Sequence, residues 1–164
     1  MGAINVTADE IIEVANDWMG KQRLPLPKKP AGQDPEFAHP DSGELTGIEL
    51  GQWLSRYNSY FVFATRKLGE VESKLVAVDA EYQLRINAGR QAVVERLGGR
   101  PAREVIEAEV LLASDDLAPL YKRRLQLLAI KAQLEARARI YEKSFQALSR
   151  ELSRREMEAR ITPG

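Results

Sequence analysis

The residues of this sequence best suited to chemistry are arginines. Arg85, Arg90, Arg96, Arg100 and Arg103 fall in the twenty-residue stretch "RINAGRQAVVERLGGRPARE", opposed within it only by Glu95 and Glu104. A guanidinium is a planar fork of donors that keeps its charge and matches phosphate geometry. Several of them on one turn bind a polyanion without reading its sequence, and that affinity falls with salt. The alternative is a solvated face in which these arginines pair with Glu95, Glu104, Glu107 and Glu109. Repetition around a homo-oligomer would favour the first reading, because five arginines per subunit would gather on one rim.

Bond-making chemistry finds little support. His39 is the single histidine and sits among prolines, and there is no cysteine, so thiolate metal sites, cysteine nucleophiles and disulfides are absent. Neither a GxxxxGK[ST] phosphate loop nor HExxH occurs, and "LGGRP" lacks the strand-to-helix setting of a nucleotide-binding turn. Asp9-Glu10 and Asp115-Asp116 fall at helix starts, where the helix dipole and capping account for them. The apolar seams carry almost no inward acid for a two-metal carboxylate site. The expectation is a protein that is not an enzyme and holds no metal or cofactor.

A second mixture of types is "WLSRYNSYFVFATRKLGEVESKL", Trp53 to Leu75, with five aromatics in its first eleven positions. Aromatics beside cations can stack and neutralise a nucleic-acid strand. Spacing argues for packing instead. Leu50, Leu54, Tyr57, Phe61, Ala64, Leu68, Val71, Leu75, Val78 and Tyr82 alternate four- and three-residue steps, a heptad seam of about four and a half repeats. Trp53 lies beside it. Tyr60 and Phe63 fall off it, and each must cover another helix or meet a partner.

These residues need long helices to hold them. Thr7 with Glu10 and Thr46 with Glu49 are capping boxes that open a short N-terminal helix and a long one. On the short helix Ala8, Ile11, Ile12, Ala15, Trp18 and Met19 share a face that must be buried in its own core, on another subunit or on a foreign partner. Between the two, Pro25, Pro27, Pro30, Pro35 and Pro40 predict an extended tether, with "LPLPKKP" a motif that an aromatic groove could take. The long helix, if unbroken from 46 to about 97, would measure about 75 Å at 1.5 Å per residue. Gly69 weakens it by about 1 kcal/mol without shifting register. After Tyr82 the register fails, and Gly89 with Gly98-Gly99 predicts a bend, loop or frayed stretch before a helix from Pro101 to 113. "SDDLAP" then allows Ser114, Asp115 or Asp116 to cap a last helix to about Arg160, in which Pro119 is confined to the first turn. Leu120, Leu127, Leu134, Tyr141 and Leu148 repeat every seven residues along it, joined by Phe145 and Leu152.

The predicted fold is all-α: long heptad-patterned helices in an antiparallel hairpin or coiled-coil bundle, with a short N-terminal helix on a proline-rich tether. The organisation is 1–20 N-terminal helix, 21–45 linker, and 46–164 hairpin for oligomerisation and DNA binding. Packing and assembly fall to Trp53, Leu54, Tyr57, Phe61, Leu68, Leu75, Leu120, Leu127, Leu134, Tyr141 and Leu148. Twenty-four basic and 24 acidic side chains cancel overall. Residues 1–50 carry 4 basic and 9 acidic groups and residues 117–164 carry 11 and 5, so the chain is acidic at one end and basic at the other. No apolar run reaches the roughly 18 residues of a membrane span. "MGAINV" has Val6 where a myristoylation signal wants Ser or Thr, and the opening residues do not have a signal-peptide pattern. A cytoplasmic protein is expected.

"WLSRYNSYFVFATRKLGEVESKLVAVDAEYQLR" followed by "GGRPAREVIEAEVLLASDDLAPLYKRRLQLLAIKAQLEARARIYEKSFQALSRELSRR" resembles the phage recombination mediator proteins of the UvsY type and their looser phage relatives. The likeness covers about residues 50–156. It lies in the order of parts: an aromatic amphipathic helix, "AEYQLR", a basic glycine-containing turn, and a long "LEAR…LSRE" helix. The resemblance implies an all-helical homo-oligomer that binds single-stranded DNA without sequence preference. It also implies help in loading a RecA-like recombinase onto strands covered by single-strand binding protein. By that likeness the DNA-contacting segment falls at about Lys74–Arg103, hence Lys74, Arg85, Arg90, Arg96, Arg100 and Arg103. The segment is longer than the family's, Asp79 and Glu81 intrude, and the N-terminal helix and tether are additions. Two other readings stand beside this one: a structural or adaptor coiled coil of phage assembly or scaffolding, and a duplex-DNA binder of the small-terminase kind. The second wants a compact helix-turn-helix, whereas the first 50 residues offer one helix.

Overall fold

Thr7 Oγ1 accepts the backbone N–H of Glu10 at 3.3 Å and opens α1 (Ala8–Lys21). The structure, a computed structural model, describes residues 6–24 and 43–161. Pro25, Pro27, Pro30, Pro35, Pro40 and His39, with the tether expected there, lie outside the described residues. The second capping box is complete. Glu49 N–H donates to Thr46 Oγ1 at 3.3 Å, and Thr46 N–H and Oγ1 each donate to the Glu49 carboxylate at 2.8 Å. These bonds, the backbone one first, hold the Glu49 carboxyl below its ordinary value. They start α2 (Gly47–Leu97), 51 residues long.

The interruption expected in residues 85–104 comes only near the end of that stretch: α2 passes Gly89 unbroken and ends at Leu97, where Gly98 and Gly99 begin a loop. The apolar stripe does not end at Tyr82 but takes two four-residue steps in succession, Val78 to Tyr82 to Ile86, before Gly89 and Val93. Such a 3-4-4 spacing averages close to the 3.6 residues of a straight helix, so register shifts while the helix persists. The chain leaves at Gly98 and Gly99, both left-handed at φ +70° and +71°, and Gly98 N–H donates to Val94 O at 3.0 Å. The third helix also starts later than expected. Pro101 is outside it, and extended Ala102 (φ −61°, ψ 152°) precedes α3 (Arg103–Ala113). The last helix, α4 (Leu117–Ile161), holds Pro119 in its first turn. These four helices make 88% of the described residues and no strand is present among them, so the fold is all-α.

The chain divides into two compact units. One comprises Met1–Lys21 and Gly69–Ala132. In it α2 and α4 run antiparallel: Glu72 pairs with Lys131 at 2.9 Å, Asp79 with Arg124, and the Tyr82 and Tyr121 rings meet at 5.8 Å. Tyr82, Ile86 and Val93 of α2, Ile106 and Val110 of α3 and Leu117 form a core. The apolar face of α1 is covered here in part: Ile11, Ala15 and Met19 are buried and Glu10 pairs with Lys122, whereas Ala8 and Ile12 stay exposed.

The other unit comprises Gln22–Leu68 and Gln133–Gly164. Leu50, Tyr57 and Ala64 of α2 are buried with Leu134, Ala138, Tyr141 and Leu148 of α4. The order is again antiparallel: Tyr57 bonds Ser144 and Tyr60 stacks on Tyr141 at 5.4 Å. Burial pushes the Tyr57 hydroxyl up and that of Tyr141 to about 12. Arg137 Nη1 donates to Leu24 O, and Arg155 donates to Leu45 O and, at 3.3 Å, to Gly43 O. Two arginines of α4 thus hold the chain where it enters and leaves the proline-rich segment.

Candidate nucleic-acid interface

The last four turns of α2 carry polar side chains of two kinds. One set is satisfied within the protein. Arg85 Nη2 reaches Glu81 at 2.5 Å and its Nη1 reaches Asp116 at 2.8 Å; Gln91 donates to Glu95 at 3.0 Å; Arg96 pairs with Glu109. The other set is Gln83, Asn87 and Arg90, spaced four and three residues so that they lie on one face. They border a cleft of about 280 Å³ against Arg103 and Glu107 of α3, with Ile86 and Ile106 at its base.

None of Gln83, Asn87, Arg90 and Arg103 has a hydrogen-bond or ion-pair partner among the described residues. Glu107 does, since its Oε1 accepts the Tyr82 hydroxyl at 2.9 Å. Burial first, and then this carboxylate, push the Tyr82 hydroxyl far above its ordinary range, so Tyr82 stays a donor that fixes Glu107 in place.

The α2–α3 connection brings the helices close at one point. A Cβ on Gly89 would stand 2.7 Å from Val110 Cγ1, so glycine is what lets α3 lie against α2. Gly98 and Gly99 turn the chain and place exposed Arg100 beyond the helix end.

The six basic residues expected to meet DNA therefore divide. Arg85 and Arg96 are engaged by carboxylates. Arg90 and Arg103 share the cleft. Arg100 is exposed on the turn and Lys74 is exposed about three turns before Arg85 on α2; neither has an ion pair among the described residues. The paired-face alternative is realised through Glu109 only, with Glu81 and Asp116 supplying the rest. Sequence reading missed Gln83 and Asn87, although their spacing from Arg90 is legible.

Of the expected packing residues, Tyr57, Leu75, Leu127, Leu134, Tyr141 and Leu148 are buried, while Trp53, Leu54, Phe61, Leu68 and Leu120 are half-buried. Of the aromatics, Trp53 lies 5.7 Å from Tyr57 with Arg56 over its ring, and Tyr60 covers α4. Phe63 lies under Arg66 and Lys67 and borders a groove with Asn58, Ser59 and Val62.

Among the described residues no cluster of three His, Cys, Asp or Glu could hold a metal ion, and no helix is long and apolar enough to cross a membrane. Comparison with known protein families, curated proteins and solved structures gives no match to this chain.

Proposed function

We propose that this chain is a non-catalytic, homo-oligomeric mediator that binds single-stranded DNA through the α2–α3 turn and helps load a RecA-like recombinase. The observation that carries the DNA reading is the division among the arginines: Arg90, Arg100 and Arg103 lack carboxylate partners among the described residues although Glu81, Glu109 and Asp116 engage their neighbours. Such guanidiniums gathered at the α2–α3 cleft and its turn, in a chain of zero net charge, make a local anion site rather than a generally basic surface. Recombinase and single-strand binding protein as partners, and the host cytoplasm as location, rest on the resemblance of the sequence to phage recombination mediators. A protein that holds a strand for another breaks no bond, which suits a surface of guanidiniums and amides without an activated nucleophile.

Anisotropy of a labelled single-stranded oligonucleotide, titrated at several salt concentrations beside the matching duplex, tests this. Salt-sensitive, strand-preferring binding is expected. Removing Arg90, Arg100 and Arg103 together should weaken it and reduce the salt slope by about 2, at roughly 0.7 per phosphate neutralised. Absence of binding at low salt would overturn the reading.

The adaptor coiled-coil reading has one observation in its favour. Val76 and Leu84 are exposed on α2, and large apolar residues exposed together on a helix point to protein contact. Binding to neither strand nor duplex would favour it, and duplex preference would favour a terminase-like binder.

A further inference from the structure

The cleft between α2 and α3 holds more than charge. Gln83 and Asn87 lie one turn apart on α2, Arg90 is the next residue on that face, and Arg103 faces them from α3. All four lack internal partners among the described residues, whereas Arg85, Gln91 and Arg96 on the neighbouring faces are each tied to a carboxylate. Two buried isoleucines, Ile86 and Ile106, give the cleft an apolar base. Its volume of about 280 Å³ lies just below the roughly 300–1,000 Å³ of small-molecule sites, room for a single base.

Resting on the single-strand reading above, we propose that this cleft holds one nucleotide of the strand, base included. Arg90 and Arg103 take the flanking phosphates from two helices. Glu107, the one acid at the cleft, is tied to Tyr82, and two guanidiniums against one carboxylate leave the site net positive. The base enters over Ile86 and Ile106, and the carboxamides of Gln83 and Asn87 meet its edge. A carboxamide both donates and accepts, so it can pair with the edge of any base and fits adenine in a bidentate manner. Recognition of an unstacked base by amide hydrogen bonds is open to single strands, whose bases can be splayed out. The site therefore distinguishes a strand with bases from a bare phosphate chain, which an arginine turn alone would not do.

The test uses the full chain, a labelled oligodeoxyadenylate and an abasic deoxyribose-phosphate oligomer of equal length. Wild type should bind the base-bearing strand the more tightly. The Gln83→Ala/Asn87→Ala double variant should lose about tenfold on that strand and nothing on the abasic one. Both positions are helical and alanine favours helix, so the variant keeps its fold, which a thermal melt checks. Equal wild-type affinity for the two strands, or equal loss on both, overturns the proposal. If replacing Arg90 and Arg103 weakens binding to both strands while the amide variant changes nothing, strand binding stands and the base site falls. If wild type binds neither strand, both fall.

Discussion

A guanidinium in an exposed ion pair is only loosely committed. The side chains of Arg96 and Glu109 retain 52% and 35% of their accessible surface, and such a pair contributes about 0–1 kcal/mol. A phosphate chain can therefore compete with Glu109 for Arg96, and the carboxylate acts as a weak internal rival. If the turn binds DNA, Glu109→Gln should raise single-strand affinity by up to about fivefold and steepen its salt dependence. An unchanged titration would place Arg96 outside the bound strand's reach. Glu151 tells a second residue-scale story. Bonds from Arg154 and then Arg155 hold its carboxyl down at about 2, against an ordinary 4.5. Because the folded value is the lower one, the stabilisation is complete above pH 4.5 and is lost as pH falls through about 2. The Glu151 carboxyl resonance should titrate near pH 2, and in Arg154→Ala it should move upward but stay depressed, since Arg155 remains. A midpoint near 4.5 in wild type would refute the pairing. In the sequence, Glu81 to Arg85 and Glu151 to Arg155 were legible as four-residue pairs. Arg85 to Asp116, 31 residues apart, was not, and neither were the carbonyls held by Arg137 and Arg155, because no local spacing encodes a contact between distant helices.

At the scale of the element, two glycines inside one helix have opposite roles. A Cβ at Gly69 meets nothing within 4 Å, so Gly69→Ala should gain the helix propensity of alanine, about 1 kcal/mol, and raise the melting temperature. At Gly89 the same methyl group would press on Val110, a β-branched side chain with little freedom to turn aside. There the overpacking loss of about 1–3 kcal/mol outweighs the propensity gain, and Gly89→Ala should be destabilising by up to about 2 kcal/mol. Denaturant titration of the two variants side by side checks both signs. A stabilised Gly89→Ala would mean that α3 does not lie on α2 as the structure has it. In the sequence, Gly89 beside a broken heptad looks like part of the interruption that Gly98 and Gly99 alone provide. The apolar stripe shows otherwise once a 4-4 step is admitted, since Ile86 and Val93 continue it. The same step recurs in α4, where Ile130, Leu134 and Ala138 are buried beside the seven-residue repeat that was legible.

For the molecule as a whole, the heptad pattern could not say whether its seams close within a chain or between chains. Either arrangement buries the same residues. In each unit they close within the chain, antiparallel, through Asp79 and Arg124 in one and Tyr60 and Tyr141 in the other. The inner seam of α2 thereby packs within the chain, although Leu54, Phe61 and Leu68 stay half-buried, and the other apolar surface open to the proposed homo-oligomer lies on the far side of α2. Val76, Ala80, Leu84 and Ala88 follow one another at four-residue spacing on the exposed side of α2, with Val76 and Leu84 at 69% and 71% exposure. A lone surface valine is ordinary, but an uncharged run where a solvated helix carries Lys and Glu suits a second copy of the chain. Sedimentation of the wild type should give a mass above the 18.4 kDa of one chain. Val76→Glu with Leu84→Glu should bring the mass down to that value, while the melt moves little because exposed substitutions fall within about 0.5 kcal/mol. A wild-type monomer would remove the homo-oligomer. An oligomer that survives both glutamates would keep the assembly and move its interface off this face of α2.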